Sequence, residues 1–462
     1  MRLYNSRSKG KEEFVPLHKG VVSMYHCGPT VYDYAHIGNF RAYLLADILR
    51  RLFEYAGQTV KQVMNITDVG HLTSDADLGE DKMATALKRE GKALTLENMK
   101  TLADFYTKHF EEDLERLNIL KPHEMPRASE HIAAQIALIK RLEEKGLTYR
   151  ISDGLYFDTG AYPAYGAFGT VHQSDEDHSR IGANKEKKNH RDFALWKFSS
   201  GGNTLGWDSP WGMGFPGWHI ECSAMSMEAL GESFDIHTGG IDHIGTHHTN
   251  EIAQSEAATG KPLARYWLHN AFLSVDGEKM SKSKQNIFTL RDIAEKGVNP
   301  LAFRYWLLTA HYRKPVNFTW DALKAAEHAL FKIYSQFFLF GEAEGKLLAV
   351  YLDRFSAFVE DDLDTPRALA LVWELLKDGS QSDGDKKATL LAMDAVLGLR
   401  IDGILSLKIP EEVLALVKER EEARSAEDWT KADALRGQVK NRGFGVNDTA
   451  DGAVAFPLPQ TL

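Results

Sequence analysis

The sequence predicts an α/β protein: a parallel-sheet domain interrupted by an insertion, then a helical region and a small terminal module. Three observations predict it. Gly20 to Val69 reads as strand, glycine turn, helix and strand. From Leu290 onward helical periodicity dominates. The chain has 462 residues, 43% hydrophobic and 26% charged, which is too long for one core and fits two to four domains.

GVVSMY, from Gly20 to Tyr25, is a short apolar run of strand length, turned by Cys27-Gly28-Pro29. FRAYLLADILRRLFEYAG carries helical spacing, and TVKQVMNITDV reads as a second strand. A βαβ unit of this kind places ligands at the carboxyl ends of its strands. Leu94 to Asn118 and His131 to Gly146 are helical, whereas the Gly-, Tyr- and charge-rich stretch from Tyr149 to His190 breaks the pattern. Residues 122–210 read as an insertion between a first catalytic half, 1–121, and a second, 211–300. A helical bundle is expected over 301–400, with Asp378 to Asp385 (DGSQSDGD) as an exposed loop. The final module, 401–462, opens with an amphipathic helix pair and closes in an extended segment.

Composition excludes several classes. No apolar run approaches the roughly 18 residues that span a membrane, and the amino terminus has neither a signal core nor a transit-peptide composition, so a cytoplasmic protein is expected. Two cysteines cannot build a disulfide framework. A formal charge of −10 argues against nucleic-acid binding through global charge and leaves a local basic groove open.

Chemistry-bearing residues gather in few places. His247 and Glu251 stand at i and i+4, on one face of a helix. With Cys27 and Cys222 they would make a tetrahedral zinc set, although the close cysteine pair typical of zinc sites is absent. The same spacing also describes a solvated helix face. Glu278 to Asn286, EKMSKSKQN, reads equally as an exposed basic loop or as lysines that neutralise charge on a triphosphate. In His36-Ile37-Gly38-Asn39 a glycine permits close approach of a ligand, at a helix end that attracts phosphate.

HIGN near the first strand and Lys279-Met280-Ser281-Lys282-Ser283 far downstream together resemble the two signatures of class I aminoacyl-tRNA synthetases. CGPTVYDYAHIGN, NITDV, PGWHIECSAM, HHTNEIAQSEA and GEKMSKSKQN resemble the cysteinyl-tRNA synthetase family in particular, from about Leu3 to Gly452. The resemblance implies a Rossmann-type catalytic domain with a connective insertion, then a helical bundle and an anticodon-binding module. It implies one zinc ion on Cys27, Cys222, His247 and Glu251, and ATP, taken with Mg2+, as substrate. His36, Gly38, Asn39, Lys279 and Lys282 fall on ATP-binding positions, of which His36, Asn39, Lys279 and Lys282 are catalytic. Thr67, Trp218 and His237 fall beside the substrate cysteine, and Arg424, Trp429, Asp433 and Asp448 on the anticodon. The implied partners are L-cysteine, ATP and tRNA(Cys), with no membrane, and a monomer is the implied state.

The chain departs from the family pattern at Asn39, which replaces the second histidine of HIGH, and in a longer segment after Asp68. His243 and His248 are additional imidazoles near the metal set, and one of them is a candidate partner to a ligand. Two other readings share these motifs: a ligase joining activated cysteine to an amino sugar, and an inactive synthetase-like RNA-binding protein. The terminal module argues against the first and the intact HIGN and KMSKS residues against the second.

Overall fold

The computed structural model describes residues 1–69, 82–169, 185–199, 206–281, 284–404, 408–449 and 452–458. Val21–His26 is the pivot of a parallel sheet ordered Ala264–Asn270, Phe234–Gly240, Val21–His26 and Thr59–Met64. Its side chains Val22, Met24, Tyr25 and His26 are all buried, the pattern of a strand covered on both faces. Register sets Tyr25 opposite His237 on one side and Val63 on the other.

The helix Ile37–Tyr55 crosses from Val21–His26 to Thr59–Met64. The chain then leaves the sheet and returns on the other side of Val21–His26, as Phe234–Gly240. Between these two strands the connections depart in opposite directions, and a crevice opens at their carboxyl ends. Cys27 N–H bonds Thr238 O at 3.3 Å, and the His26 ring lies 2.6 Å from Thr238 Oγ1, at the floor of that crevice.

The excursion contains the helices Lys82–Arg89, Leu96–Arg116 and Ile132–Glu144, then an antiparallel sheet of Thr148–Ile151, Gly154–Phe157, Phe193–Phe198 and Gly214–Pro216. Leu138, Leu142, Phe157 and Trp196 share a core with Ile220 and Ala253, so this sheet buttresses the helices Trp218–Leu230 and His247–Thr259.

Arg304, in the helix Pro300–Leu308, ties the later helices to the helix Ile37–Tyr55 that packs on the parallel sheet. Fully buried, it donates to Asp47 Oδ2 at 2.6 Å, to Leu397 O at 2.8 Å and to Leu117 O at 3.0 Å. The helices Glu411–Ser425 and Trp429–Asn441 and the hairpin Phe444–Thr449/Gly452–Pro457 enclose a small core of Val413, Val417, Val439, Phe444 and Ala455. The hairpin docks on the helix Trp320–Leu339 through Phe331 and Phe456, 5.9 Å apart.

One expectation is corrected. Asp383 to Asp385 belong to the helix Asp383–Leu397 rather than to an exposed loop. Ser382 caps it by accepting Asp385 N–H, and two acidic residues in its first turn favour its positive end. Gly384 meets the backbone of Glu344 so closely that a Cβ would lie 2.1 Å from Glu344 O.

Candidate active site

The crevice widens into a cavity of about 550 Å³. Its wall includes Cys27, His36, Gly38, Asn39, Thr67, Trp218, Cys222, His247 and Lys279, drawn from six separate stretches of sequence. Lys282 and most of the segment after Asp68 lie outside the described residues.

On its deep side, Cys27, Cys222, His247 and Glu251 converge with every ligand atom within 4.8 Å of the others, all four side chains buried. Each arrives for a local reason. Cys27 ends the first strand, Cys222 faces inward from the helix Trp218–Leu230, and His247 and Glu251 share one face of His247–Thr259. A tetrahedral zinc ion with bonds of about 2.0–2.3 Å holds its ligands about 3.3–3.8 Å apart, so small adjustments suffice. Two thiols, an imidazole and a carboxylate suit that ion. A second set, Cys27, His237, His248 and Glu251, meets the same distance criterion.

Hydrogen bonds separate the two sets. His237 Nε2 donates to Glu251 Oε2 at 2.8 Å, with its ring flat against Trp267 at 4.5 Å, and is absent from the cavity wall. It braces Glu251 in this position, next to the place the resemblance implies for the substrate cysteine. His248 Nε2 lies 3.2 Å from Cys27 Sγ, its Nδ1 2.7 Å from His269 Nε2, and His269 Nδ1 2.8 Å from Ser6 Oγ. With His248 as its Nε2–H tautomer, the chain runs from Ser6 through His269 to the Cys27 sulfur. Outer partners of this kind orient ligands and raise their basicity.

The charge state follows from the same contacts. The Cys222 thiol is lowered to about 6 because Cys27 donates to it, against the opposing effect of burial. Burial pushes the Cys27 thiol well above its usual value, and the bond to Cys222 adds to this. Burial opposes charge on His247, but Glu251 and Cys222 carry it up to about 10. Burial would raise Glu251, but His237 and His247 hold it well below the usual carboxylate range. Near neutral pH the set thus holds a thiolate and a carboxylate against an imidazolium, with one thiol still protonated.

Trp218 stacks on His247 at 4.3 Å and 26°. Thr67 is held by two residues that sequence reasoning missed. Asn65 Oδ1 accepts Gly28 N–H at 2.9 Å, Asn65 Nδ2 donates to Thr67 Oγ1 at 3.0 Å, and Thr67 donates to Glu221 Oε2 at 3.2 Å. Their only signal was position: Glu221 adjoins Cys222, and Asn65 lies two residues before Thr67. Gly28 is obligatory, since a Cβ there would sit 1.7 Å from Asn65 O.

At the outer end of the cavity His36 caps the helix Ile37–Tyr55, and Asn39 Oδ1 accepts His36 N–H at 3.0 Å. Asn39 thereby closes the first helical turn. Met280 reaches over Gly38, where a Cβ would lie 2.4 Å from its terminal methyl. Asn286 braces the basic loop by accepting Ser281 N–H at 2.8 Å and donating to Lys279 O at 3.3 Å.

In the terminal module Asp448 accepts from both terminal guanidinium nitrogens of buried Arg420, at 2.7 and 3.0 Å, with Arg424 at 3.3 Å and Arg436 at 3.8 Å. Trp429 is 57% exposed, with the Arg424 guanidinium 5.6 Å from its ring centre. Asp433 is exposed on the same helix as Trp429.

Comparison with known proteins adds to this geometry. Residues 13–328 match the family model described as tRNA synthetases class I (C) catalytic domain. Residues 407–453 match the cysteinyl-tRNA ligase anticodon binding domain. The chain is 46% identical to Cysteine–tRNA ligase 1 of Burkholderia lata, covering 99% of this chain and 97% of that protein. It is 42% identical to Cysteine–tRNA ligase of Treponema denticola, over 97% and 98%. In fold it is similar to Mycobacterium tuberculosis methionyl-tRNA synthetase in complex with methionyl-adenylate, with TM-score 0.56 and 17% identity over 82% of this chain and 90% of that one. It is also similar to agnB2 LeuRS of Agrobacterium radiobacter K84 in its ternary complex with tRNA and LeuAMS, with TM-score 0.60 and 12% identity over 84% and 85%.

Proposed function

The chain belongs to the class I cysteine–tRNA ligase family, and from that premise we infer that it activates L-cysteine with ATP and transfers it to tRNA(Cys). The observation that carries the choice of amino acid is the buried set of two thiols, an imidazole and a carboxylate at the cavity, three of whose members line its wall.

The reaction requires attack of the cysteine carboxylate on the ATP α-phosphate, release of pyrophosphate, and transfer of the cysteinyl group to the terminal ribose of tRNA. Cysteine and serine are near-isosteres that a pocket of shape alone separates by roughly 100-fold or less. Cys27, Cys222, His247 and Glu251 would hold a zinc ion, which supplies affinity for a thiolate that an alcohol does not match. His237 fixes Glu251, and the His248 ring holds Cys27 from its Nε2. Trp218 and Thr67 shape the adjoining wall for the body of the amino acid.

ATP, with Mg2+, is assigned to the end of the cavity at His36, Gly38 and Asn39. There the positive amino end of the helix Ile37–Tyr55 lies in the cavity wall, where it favours phosphate. Asn39 contributes by fixing that turn. Lys279 supplies positive charge at the cavity edge, and Lys282 is proposed to join it from the same loop. Catalysis is then positioning and electrostatics, with no protein nucleophile.

Anticodon bases are assigned to Arg424, Trp429, Asp433 and Asp448, where paired hydrogen-bonding groups stand beside an exposed ring. The proposed division of the chain is 1–121 and 211–300 for catalysis, 122–210 for the insertion, 301–400 for the bundle and 401–462 for the anticodon module. A monomer in the cytoplasm is the proposed state; no described helix is long and apolar enough to cross a membrane. Labelled cysteine, ATP and unfractionated tRNA test the function together. Acid-precipitable label with cysteine and none with serine is the expected result, and absence of charging would reject it.

A further inference from the structure

The cavity has an aromatic wall that neither the amino acid nor the triphosphate accounts for. Tyr32, Tyr34 and Tyr106 line it, and the same ring cluster continues outward to Phe105, which is 49% exposed on the helix Leu96–Arg116. Phe105 stands edge-on to His109 at 4.5 Å and to Tyr106 at 5.2 Å. Tyr34 in turn stands edge-on to Tyr106 at 5.1 Å, and the Arg291 guanidinium lies 4.5 Å over its ring. The ridge is firmly built: Arg89 bonds Asp33 Oδ2, Tyr32 O and Tyr106 Oη, each at 3.1 Å, which fastens the Tyr32–Tyr34 loop to the helix. Bordering acids are engaged, Asp33 by Arg89, Glu90 by Lys92 at 2.7 Å and Glu112 by His109 at 2.9 Å.

A half-exposed phenylalanine continuous with an active cavity, beside a stacked guanidinium, has the composition of a surface for unpaired bases. Rings accept any base face, and the cation meets the backbone. The tRNA must carry its terminal ribose into the cavity while its paired stem stays outside. We propose that Tyr34, Phe105 and Arg291 form a stacking platform that guides the unpaired 3′-terminal nucleotides of tRNA from the surface to the cavity. This rests on the reading of the chain as a tRNA ligase. The adenine of ATP has the same ring chemistry, so the test separates the two sources.

The full chain and its Phe105→Ala and Phe105→Tyr variants are compared for charging kinetics. Their affinities are measured for intact tRNA and for tRNA trimmed of its unpaired 3′ nucleotides. Phe105→Ala is expected to raise KM for tRNA about tenfold, in line with base–aromatic stacking, and Phe105→Tyr to restore it. The affinity gap between intact and trimmed tRNA, present in the unaltered chain, is expected to shrink in Phe105→Ala. An unchanged KM for tRNA overturns the platform, as does an equal loss on intact and trimmed tRNA. A rise in KM for ATP in place of that for tRNA also overturns it and assigns the ridge to adenine. Failure of the unaltered chain to charge any tRNA would instead strike at the ligase reading, which keeps the two failures apart.

Discussion

Zinc uptake by the metal-free chain should release about two protons near neutral pH. The number follows from the four donors. As ligands, both sulfurs must be thiolates and His247 must be neutral. Without metal, Cys222 is already deprotonated, having been lowered to about 6, and Glu251 is ionised because His237 and His247 hold it low. Cys27, raised by burial, still carries its proton, and His247, carried up to about 10 against burial by Glu251 and Cys222, carries another. Those two protons leave on binding. At about pH 5, below the Cys222 value, a third joins them, so release rises toward three and affinity falls. Titration calorimetry of zinc into the chelator-stripped chain, repeated in buffers of different ionisation enthalpy, reads the count directly. A release of less than one proton near neutral pH would refute this charge assignment. It would show Cys27 and His247 already deprotonated and the hydrogen bond from Cys27 to Cys222 absent.

Other perturbations probe separate links. Lys279→Ala should slow cysteine-dependent pyrophosphate exchange by about 100-fold, the scale of a lost electrostatic contact, while zinc content by atomic absorption stays constant. Asp47→Asn leaves fully buried Arg304 without its carboxylate and should cost about 3–5 kcal/mol in urea unfolding. Gly28→Ala forces a Cβ to 1.7 Å from Asn65 O and should destabilise the chain by about 3 kcal/mol, read as a fall in Tm.

Much of the architecture is legible in the sequence because it is local. The βαβ unit announces itself by a change of periodicity around Cys27-Gly28-Pro29, and the i,i+4 spacing of His247 and Glu251 already puts them on one helix face. The four candidate ligands could be named from residue type together with resemblance, and they converge in space. What supports them could not be read. His237 reaches Glu251 because a parallel register sets it beside Tyr25, and His248 reaches Cys27 across a stretch of more than 200 residues. Long-range partners such as Arg304 and Asp47 leave no spacing to recognise. At Asp383 the misreading was local: Asp, Gly and Ser signal a turn and also an amino-terminal cap, and the Ser382 cap prevailed.

Selection of a thiol is the role proposed for the buried donor set. It is tested most directly by measuring cysteine- and serine-dependent pyrophosphate exchange on the chelator-stripped chain and again after one equivalent of zinc. Zinc should restore exchange with cysteine while serine stays inactive, and Cys222→Ala should abolish both the stoichiometric zinc and the restoration. Exchange with cysteine that proceeds equally well in the stripped chain, or in Cys222→Ala with its preference over serine intact, would contradict it.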